Sequence, residues 1–337
     1  MSRAVLLTGG AGFIGSHTCI ALVEAGYDVT ILDNFENARR DIPDRLAEIL
    51  GRRVAVAQGD IRDADAVLAL TRKTRFDAVV HFAGRKSVPE SVADPLGYYR
   101  SNCNGLINVV AAMRETDVTN IVFSSSAAIY GAPRTVPIDE DTPPAPQNPY
   151  AETKLFGETV LRAMARAHPE LKTGILRYFN PVGAHSSGLI GEDPSLPPSN
   201  LVPVIGRVAT GALPKLMIFG GDWPTPDGTG IRDFIHVEDL ARGHVLSLEA
   251  LLNRGASHLV NLGTGIGYSV LEVVRTYAEI CGRALPYEIV DRRPGDAAMS
   301  YAATARAQQV LGFQARHDLR AMCASNWAFN VGKTARV

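Results

Sequence analysis

The sequence has 337 residues, 46% hydrophobic and 20% charged, with 34 basic and 35 acidic side chains for a formal charge of −1. The length predicts about two domains, or one large α/β unit with an appended lobe, and the composition excludes a disordered chain and a coiled coil. Balanced charge excludes a global basic field for nucleic acid. Four cysteines, Cys19, Cys103, Cys281 and Cys323, are too scattered for a C-x-x-C motif or a disulfide framework, and no metal is expected. No 18 uncharged apolar residues occur together, and residues 1–7 are too short for a signal-peptide core. A soluble cytoplasmic protein is expected.

In chain order, segments 4–7 (AVLL), 29–32 (VTIL), 54–56 (VAV), 78–81 (AVVH) and 120–123 (NIVF) are short runs bounded by Gly, Asp or polar residues. That is the pattern of buried parallel strands. Between them, 17–25, 64–71, 98–114 and 150–167 have helical spacing. The alternation predicts a doubly wound parallel sheet. Beyond about residue 180 the texture changes. Segment 181–230 is rich in Pro and Gly, as in Pro194-Ser195-Leu196-Pro197-Pro198 and Gly228-Thr229-Gly230, with one helix near 201–211. Long irregular stretches of this kind usually carry function. Segment 233–262 returns to a helix and a strand at 258–261, and 269–281 is helical. The expected organisation is a nucleotide-binding domain over 1–180, rejoined by 235–262, and a smaller lobe over 181–234 and 263–337.

Thr8-Gly9-Gly10-Ala11-Gly12-Phe13-Ile14-Gly15 follows the first strand and opens a helix. Gly10, Gly12 and Gly15 match G-x-G-x-x-G, and Gly9, Gly12 and Gly15 match the wider G-x-x-G-x-x-G. Such glycines make a tight turn, let backbone approach a pyrophosphate and let helix pack on strand. Helix N-terminal amides then face the phosphate charge. Asp33 ends the next strand, 18 residues after Gly15, where a carboxylate accepts adenosine ribose hydroxyls. It would repel a 2′-phosphate, so NAD is expected rather than NADP. Asp60-Ile61 fits the adenine side, and Phe82-Ala83-Gly84 leaves room beside the fourth strand.

Tyr150 and Lys154 stand four apart on a helix that Asn148 can cap and Pro149 can open. That spacing puts both on one face. A nearby ammonium lowers a phenol pKa, so the tyrosine could act as a general base. The fifth strand ends in Ser124-Ser125-Ser126, at the edge where α/β sheets bind ligands.

Together with Leu176-Arg177-Tyr178-Phe179-Asn180, Gly191-Glu192-Asp193-Pro194, Arg232-Asp233-Phe234-Ile235-His236-Val237 and Asn261-Leu262-Gly263-Thr264-Gly265, these residues resemble the extended short-chain dehydrogenase/reductase family over nearly the whole chain. The resemblance implies a Rossmann domain with tightly bound NAD and inversion at carbon 4 of UDP-glucose and UDP-galactose through a 4-keto sugar. It implies that Tyr150 takes the sugar 4-hydroxyl proton, that Lys154 bonds the nicotinamide ribose and tunes Tyr150, and that Ser126 assists, with Ser124 and Ser125 supporting. Gly9, Gly12, Phe13, Ile14, Gly15, Asp33, Asn34, Asn37, Asp60, Ile61, Phe82, Ala83, Gly84, Lys86, Asn102, Ser124, Tyr150, Lys154 and Phe179 would hold NAD. Lys86, Asn180, Asn200, Leu201, Phe219, Arg232, Arg293 and Asp296 would join Ser126 and Tyr150 in holding the UDP-sugar. Guanidinium groups suit that task because they fork onto phosphate oxygens.

Ser300 aligns with the position limiting bulk at the sugar 2-substituent, so N-acetylated UDP-sugars are expected to fit. Arg85 departs from the family pattern, which has leucine there. A homodimer is implied, with contacts on the helices near 98–114 and 150–167. Rival readings are a 4,6-dehydratase or a UDP-sugar decarboxylase on the same scaffold, and a non-catalytic NAD-binding protein. A dehydratase would carry an acidic pair where this chain has Ala127 and Ala128, and a binding protein could dispense with Tyr150, Lys154 and Ser126.

Overall fold

Residues 2–193, 200–293 and 295–334 are described by the computed structural model; Pro194-Ser195-Leu196-Pro197-Pro198 and Pro294 lie outside them. The chain begins β1 (Ala4–Thr8), α1 (Phe13–Glu24), β2 (Asp28–Asp33), α2 (Ile42–Leu50), β3 (Ala55–Gln58), α3 (Ala64–Lys73) and β4 (Ala78–His81). Two short helices follow, α4 (Val88–Ala93) and α5 (Pro95–Tyr98). Each has proline in its first turn and a side-chain cap, Ser87 and Asp94 respectively. A π-helical turn, Tyr99–Asn104, leads into α6 (Gly105–Glu115). The helix expected over 98–114 is therefore re-wound in its first half, and the wider turn buries Asn102.

Next come β5 (Asn120–Ser126), a 3-10 turn (Ala127–Tyr130), α7 (Pro149–Ala167), β6 (Lys172–Tyr178) and β7 (Asn180–Val182). The remaining elements are α8 (Leu201–Ala209), β8 (Leu216–Phe219), β9 (Ile231–His236), α9 (Val237–Arg254), β10 (His258–Leu262), β11 (Gly267–Ser269), α10 (Val270–Cys281), β12 (Tyr287–Val290), β13 (Met299–Ser300), α11 (Ala305–Leu311) and α12 (Leu319–Thr334). No described helix is long and apolar enough to cross a membrane.

Seven strands form one parallel sheet in the order β10-β6-β5-β4-β1-β2-β3. Alternation along each strand builds a core on both faces. Val5, Leu7, Ile31, Val80 and Leu176 face α1 and α9, while Leu6, Leu32, Val79, Ile121 and Ile175 face α3, α6 and α7. Strand order reverses between β1 and β4, which opens a crevice at their carboxyl ends. β6 was not among the expected strands: its apolar run is broken by Gly174 before it and Arg177 after it. That arginine is fully buried on Glu158. Ala307, Leu311 and Phe313 also pack into the core beside α9, so the chain revisits the large sheet late.

The smaller lobe holds the β11-β9-β13 sheet with β7 on β9, and the β12-β8 pair. α8, α10 and α12 enclose its own core around Ile205, Leu271, Val274, Tyr277 and Met322. These strands are too short for their periodicity to stand out in the sequence.

Candidate active site

The glycine loop is built by close approach. Gly9 has φ +70°, and a Cβ there would lie 2.6 Å from the Ala83 nitrogen. A Cβ on Gly15 would collide with the Gly9 carbonyl. Gly12 caps α1 with no side-chain bond, and the first turn holds no acid. The amides of α1 are thus free of side-chain caps where an anion would approach.

Asp33 braces this loop. Its Oδ2 accepts the Ala11 amide at 3.0 Å and its Oδ1 the Phe35 amide at 2.9 Å. Burial raises its pKa, and those two hydrogen bonds oppose the rise. Asn34 donates to Asp60 at 2.9 Å, bringing the ends of β2 and β3 together. The Arg62 guanidinium forks onto Asp60, at 2.9 and 2.6 Å, and holds that carboxyl well below the usual range. Ile61 is buried under Gly105, Ile14 packs against the core, and Phe13 sets its ring edge-on to His17. Asn37 is exposed on the loop after β2.

Across the crevice, the Phe82 and Ala83 amides both donate to the Thr8 carbonyl, at 2.9 and 3.1 Å. Gly84 approaches Asn102 so closely that a Cβ would sit 2.9 Å from its Oδ1. The Asn102 amide is committed to protein partners: Oδ1 accepts the Arg85 amide, and Nδ2 donates to the Arg85 carbonyl and to Thr153.

The N-terminal end of α7 carries the reactive cluster. Asn148 caps it by accepting the Ala151 amide at 2.9 Å, and Pro149 opens it. Against burial, Ser126 draws the Tyr150 phenol pKa down, and its Oγ accepts the Ala128 amide at 3.2 Å. Lys154 Nζ lies 5.9 Å from the Tyr150 ring centre and donates to the Ser124 carbonyl at 2.7 Å. Burial pushes the Lys154 ammonium down to about 8. The same cause raises the Tyr150 pKa, with Ser126 and the Lys86 charge working against it. The lowered tyrosine pKa expected from the sequence is therefore reversed in this structure: desolvation outweighs the stabilising groups. Ser124 Oγ is paired with the Tyr178 hydroxyl, and Ser125 points away to Glu158 at 2.6 Å. Phe179 is buried beside Ile129 and Ala302.

On the lobe side, Lys86 Nζ and Asn200 Nδ2 converge on Glu192 Oε1, at 2.7 and 2.8 Å. Asn200 precedes α8, which begins at Leu201, and its side chain does not cap that helix. Asn180 donates to the Asp233 carbonyl at 2.8 Å. Arg232 Nη2 stands 3.6 Å from Asp296, and burial lowers its pKa against that charge. Arg293 lies 3.7 Å over the Phe219 ring. β13 aligns Ser300 with Arg232 in its ladder to β9. Arg232, Asp296, Arg293, Phe219 and Ser300 thus all belong to the lobe, while Tyr150, Lys154 and Ser126 belong to the large sheet and α7.

The family model for the NAD dependent epimerase/dehydratase family matches residues 5–263. The chain belongs to this family. Its cofactor is accordingly NAD, and the family's cradle is present: Cβ atoms at 9 and 15 would fill the turn, and Gly12 leaves α1 uncapped. The Bacillus subtilis UDP-glucose 4-epimerase is 49% identical over 324 residues, covering 96% of each chain. A solved structure of UDP-glucose-4-epimerase from Stenotrophomonas maltophila, with bound NAD and formylated UDP-arabinopyranose, superposes with a TM-score of 0.97 at 44% identity over 100% of both chains. The UDP-Glc/GlcNAc 4-epimerase of Campylobacter jejuni superposes with a TM-score of 0.86 at 36% identity, covering 98% of this chain and 100% of that one.

Several supports of this family's site were missed in sequence. Asp233 is fully buried and accepts from Thr264, Gly265 and Ala302, pinning 263–265 and the end of β13 to β9. Glu192 joins Lys86 to Asn200, and Tyr178 completes the hydroxyl pair with Ser124. All three lie inside the quoted motifs, but no role could be read from spacing alone. His236, Glu238 and His317 place donor atoms within 4.8 Å of one another. Both His236 nitrogens serve the start of α9 and Ser325, and His317 Nδ1 meets Asp239.

Proposed function

We propose that the protein is a UDP-glucose/UDP-galactose 4-epimerase. The observation that carries this reading is the convergence of Tyr150, Ser126 and Lys154 beside the crevice at the carboxyl edge of the sheet. The seven-stranded half holds the dinucleotide through Gly9, Gly12, Gly15, Asp33, Asp60 and Phe82–Gly84, and the lobe holds the UDP-sugar. When bound, NAD supplies the acceptor and then the donor of the C4 hydride. Tyr150 takes the 4-hydroxyl proton and returns it to the same oxygen once the 4-keto sugar has presented its other face, with Ser126 sharing that proton. The Lys154 ammonium favours the phenolate and orients the cofactor ribose. Arg232 and Arg293 fork onto the diphosphate, so the hexose can turn while its anchor stays fixed. Under-compensated burial of Arg232 supports that role, because an arriving phosphate would supply the missing charge.

Ser300 leaves space at the sugar 2-position, and N-acetylated UDP-sugars are further substrates. Product analysis after incubation with UDP-galactose and, separately, UDP-N-acetylgalactosamine, without added NAD, tests both points. Conversion of both to the gluco isomers supports the whole reading. Conversion of UDP-galactose alone removes the Ser300 claim, and no conversion even with NAD supplied removes the epimerase. Ser300→Tyr should abolish N-acetyl turnover selectively.

The enzyme acts as a cytoplasmic homodimer. All four cysteines are free, as a reducing compartment requires. Val92, Leu96, Ile107 and Phe156 are exposed on the α4–α7 face, and covering them with a second copy removes that apolar area from water. Sizing that returns a single-chain mass at working concentration would refute the dimer.

A further inference from the structure

Arg85 spans two loops that strand order keeps apart. The loop after β2 and the loop after β4 flank β1, so a bridge between them passes across the carboxyl end of β1, where the glycine loop lies. Two strand spacings separate them, about 10 Å. Arg85 Nη2 donates to Glu36 Oε1 at 3.0 Å, and Nη1 donates to Asp94 Oδ2 at 3.1 Å. Glu90 Oε1 stands 3.8 Å from Nη1.

Both ends are prepared. At the base, Asn102 accepts the Arg85 amide at 2.8 Å and donates to the Arg85 carbonyl at 3.0 Å. Asn102 is buried and tied to Thr153 on α7. Gly97 gives the arm room, since a Cβ there would fall 2.9 Å from Arg85 Nη1 and collide with the Asp94 carboxylate. At the far end, the Glu36 amide donates to Asn34 Oδ1 at 2.9 Å, only three residues beyond Asp33. Arg62 backs the other Glu36 oxygen at 3.6 Å. Three carboxylates within 4 Å over-neutralise the Arg85 guanidinium, so it is poorly suited to attract a pyrophosphate and well suited to tie loops together.

We propose that the Arg85–Glu36 pair is a latch across the dinucleotide crevice that slows NAD exchange in both directions while leaving the chemistry alone. This rests on the assignment of that crevice to NAD made above. A latch that must open for passage limits entry and exit alike, so affinity changes little.

Holoenzyme loaded with isotopically labelled NAD and chased with excess unlabelled NAD reads the exit rate directly. Because the pair is partly exposed, Arg85→Ala and Glu36→Gln should each speed exit about two- to fivefold. The double variant should be no faster than the faster single variant, since both remove one interaction. Raising salt to about 1 M should speed exit from the wild type more than from the double variant. Unchanged exit in both single variants overturns the latch, as does full additivity in the double variant. Wild-type protein that takes up no NAD overturns the crevice assignment, and the latch with it.

Discussion

Lys154 and Glu158 sit one turn apart on α7, both buried, yet Glu158 ends at a guanidinium and Lys154 at a carbonyl oxygen. Glu158 receives Arg177 as a fork at 2.8 and 2.7 Å, with Ser125 and Arg162 filling its remaining positions. Arg177 passes on to the Tyr130 hydroxyl and the Glu140 carbonyl, and Tyr130 to Asn261. That network binds α7, β6, β10 and the loop after β5 into one body. Lys154 has no carboxylate partner among the described residues, and burial pushes it down to about 8. A buried charge with its counter-charge holds structure; one held without it is strained and available to chemistry. Arg232, half-buried and with Asp296 only at 3.6 Å, falls toward the second side of that division.

The comparison can be broken most directly at the proton. Tyr150→Phe should lose about 10²- to 10⁴-fold in turnover, the range for one general base, while still binding NAD. Assay of the NAD-loaded variant checks this, and near-normal turnover would remove Tyr150 from the mechanism.

Glu158→Gln should cost about 3–5 kcal/mol of stability, because it strands the Arg177 charge inside the protein. Urea unfolding measures it. A loss below about 1 kcal/mol would show that the network is not structural.

Lys154→Met should move stability the other way. The folded pKa of about 8 lies below the ordinary 10.5, so the unfolded chain binds the proton more tightly between those values. The resulting penalty, roughly 3 kcal/mol, is fully present below pH 8 and vanishes above 10.5. Losing the bond to Ser124 returns about 1 kcal/mol of that. The variant should be more stable than wild type by about 1–2 kcal/mol at pH 7 while losing activity. Thermal melts should show the advantage shrinking as pH rises from 8 toward 10.5. A less stable variant at pH 7 would contradict the division between paired and unpaired charges.

Ser126→Ala should have the smallest effect, about fivefold at neutral pH, the worth of one hydrogen bond. Ser126 lowers the Tyr150 pKa, so its removal raises that pKa. The acid limb of the pH–rate profile should then move to higher pH, and an unmoved limb would show that Ser126 does not tune Tyr150.

The parts of the site read directly from sequence are those set by neighbours along the chain. The glycine loop follows a strand and opens a helix, and Asn148-Pro149 start the helix that puts Tyr150 and Lys154 on one face. Each is a local rule with a local signature. β6 escaped because a buried arginine interrupts its pattern, and a pattern of polarity cannot distinguish a solvated charge from a paired one. The lobe escaped in detail because strands such as Met299–Ser300 are held by partners, not by periodicity.

The sequence by itself determined the alternating strands and helices, the dinucleotide loop and the tyrosine–lysine pair, because backbone propensity, capping and side-chain period act over a few residues. Tertiary structure alone decided which charges are matched. Arg177 and Glu158 are 19 residues apart, Arg85 and Glu36 49, Lys86 and Glu192 106. Electrostatic energy depends on distance and burial in space, and neither is set until the sheet brings those residues together.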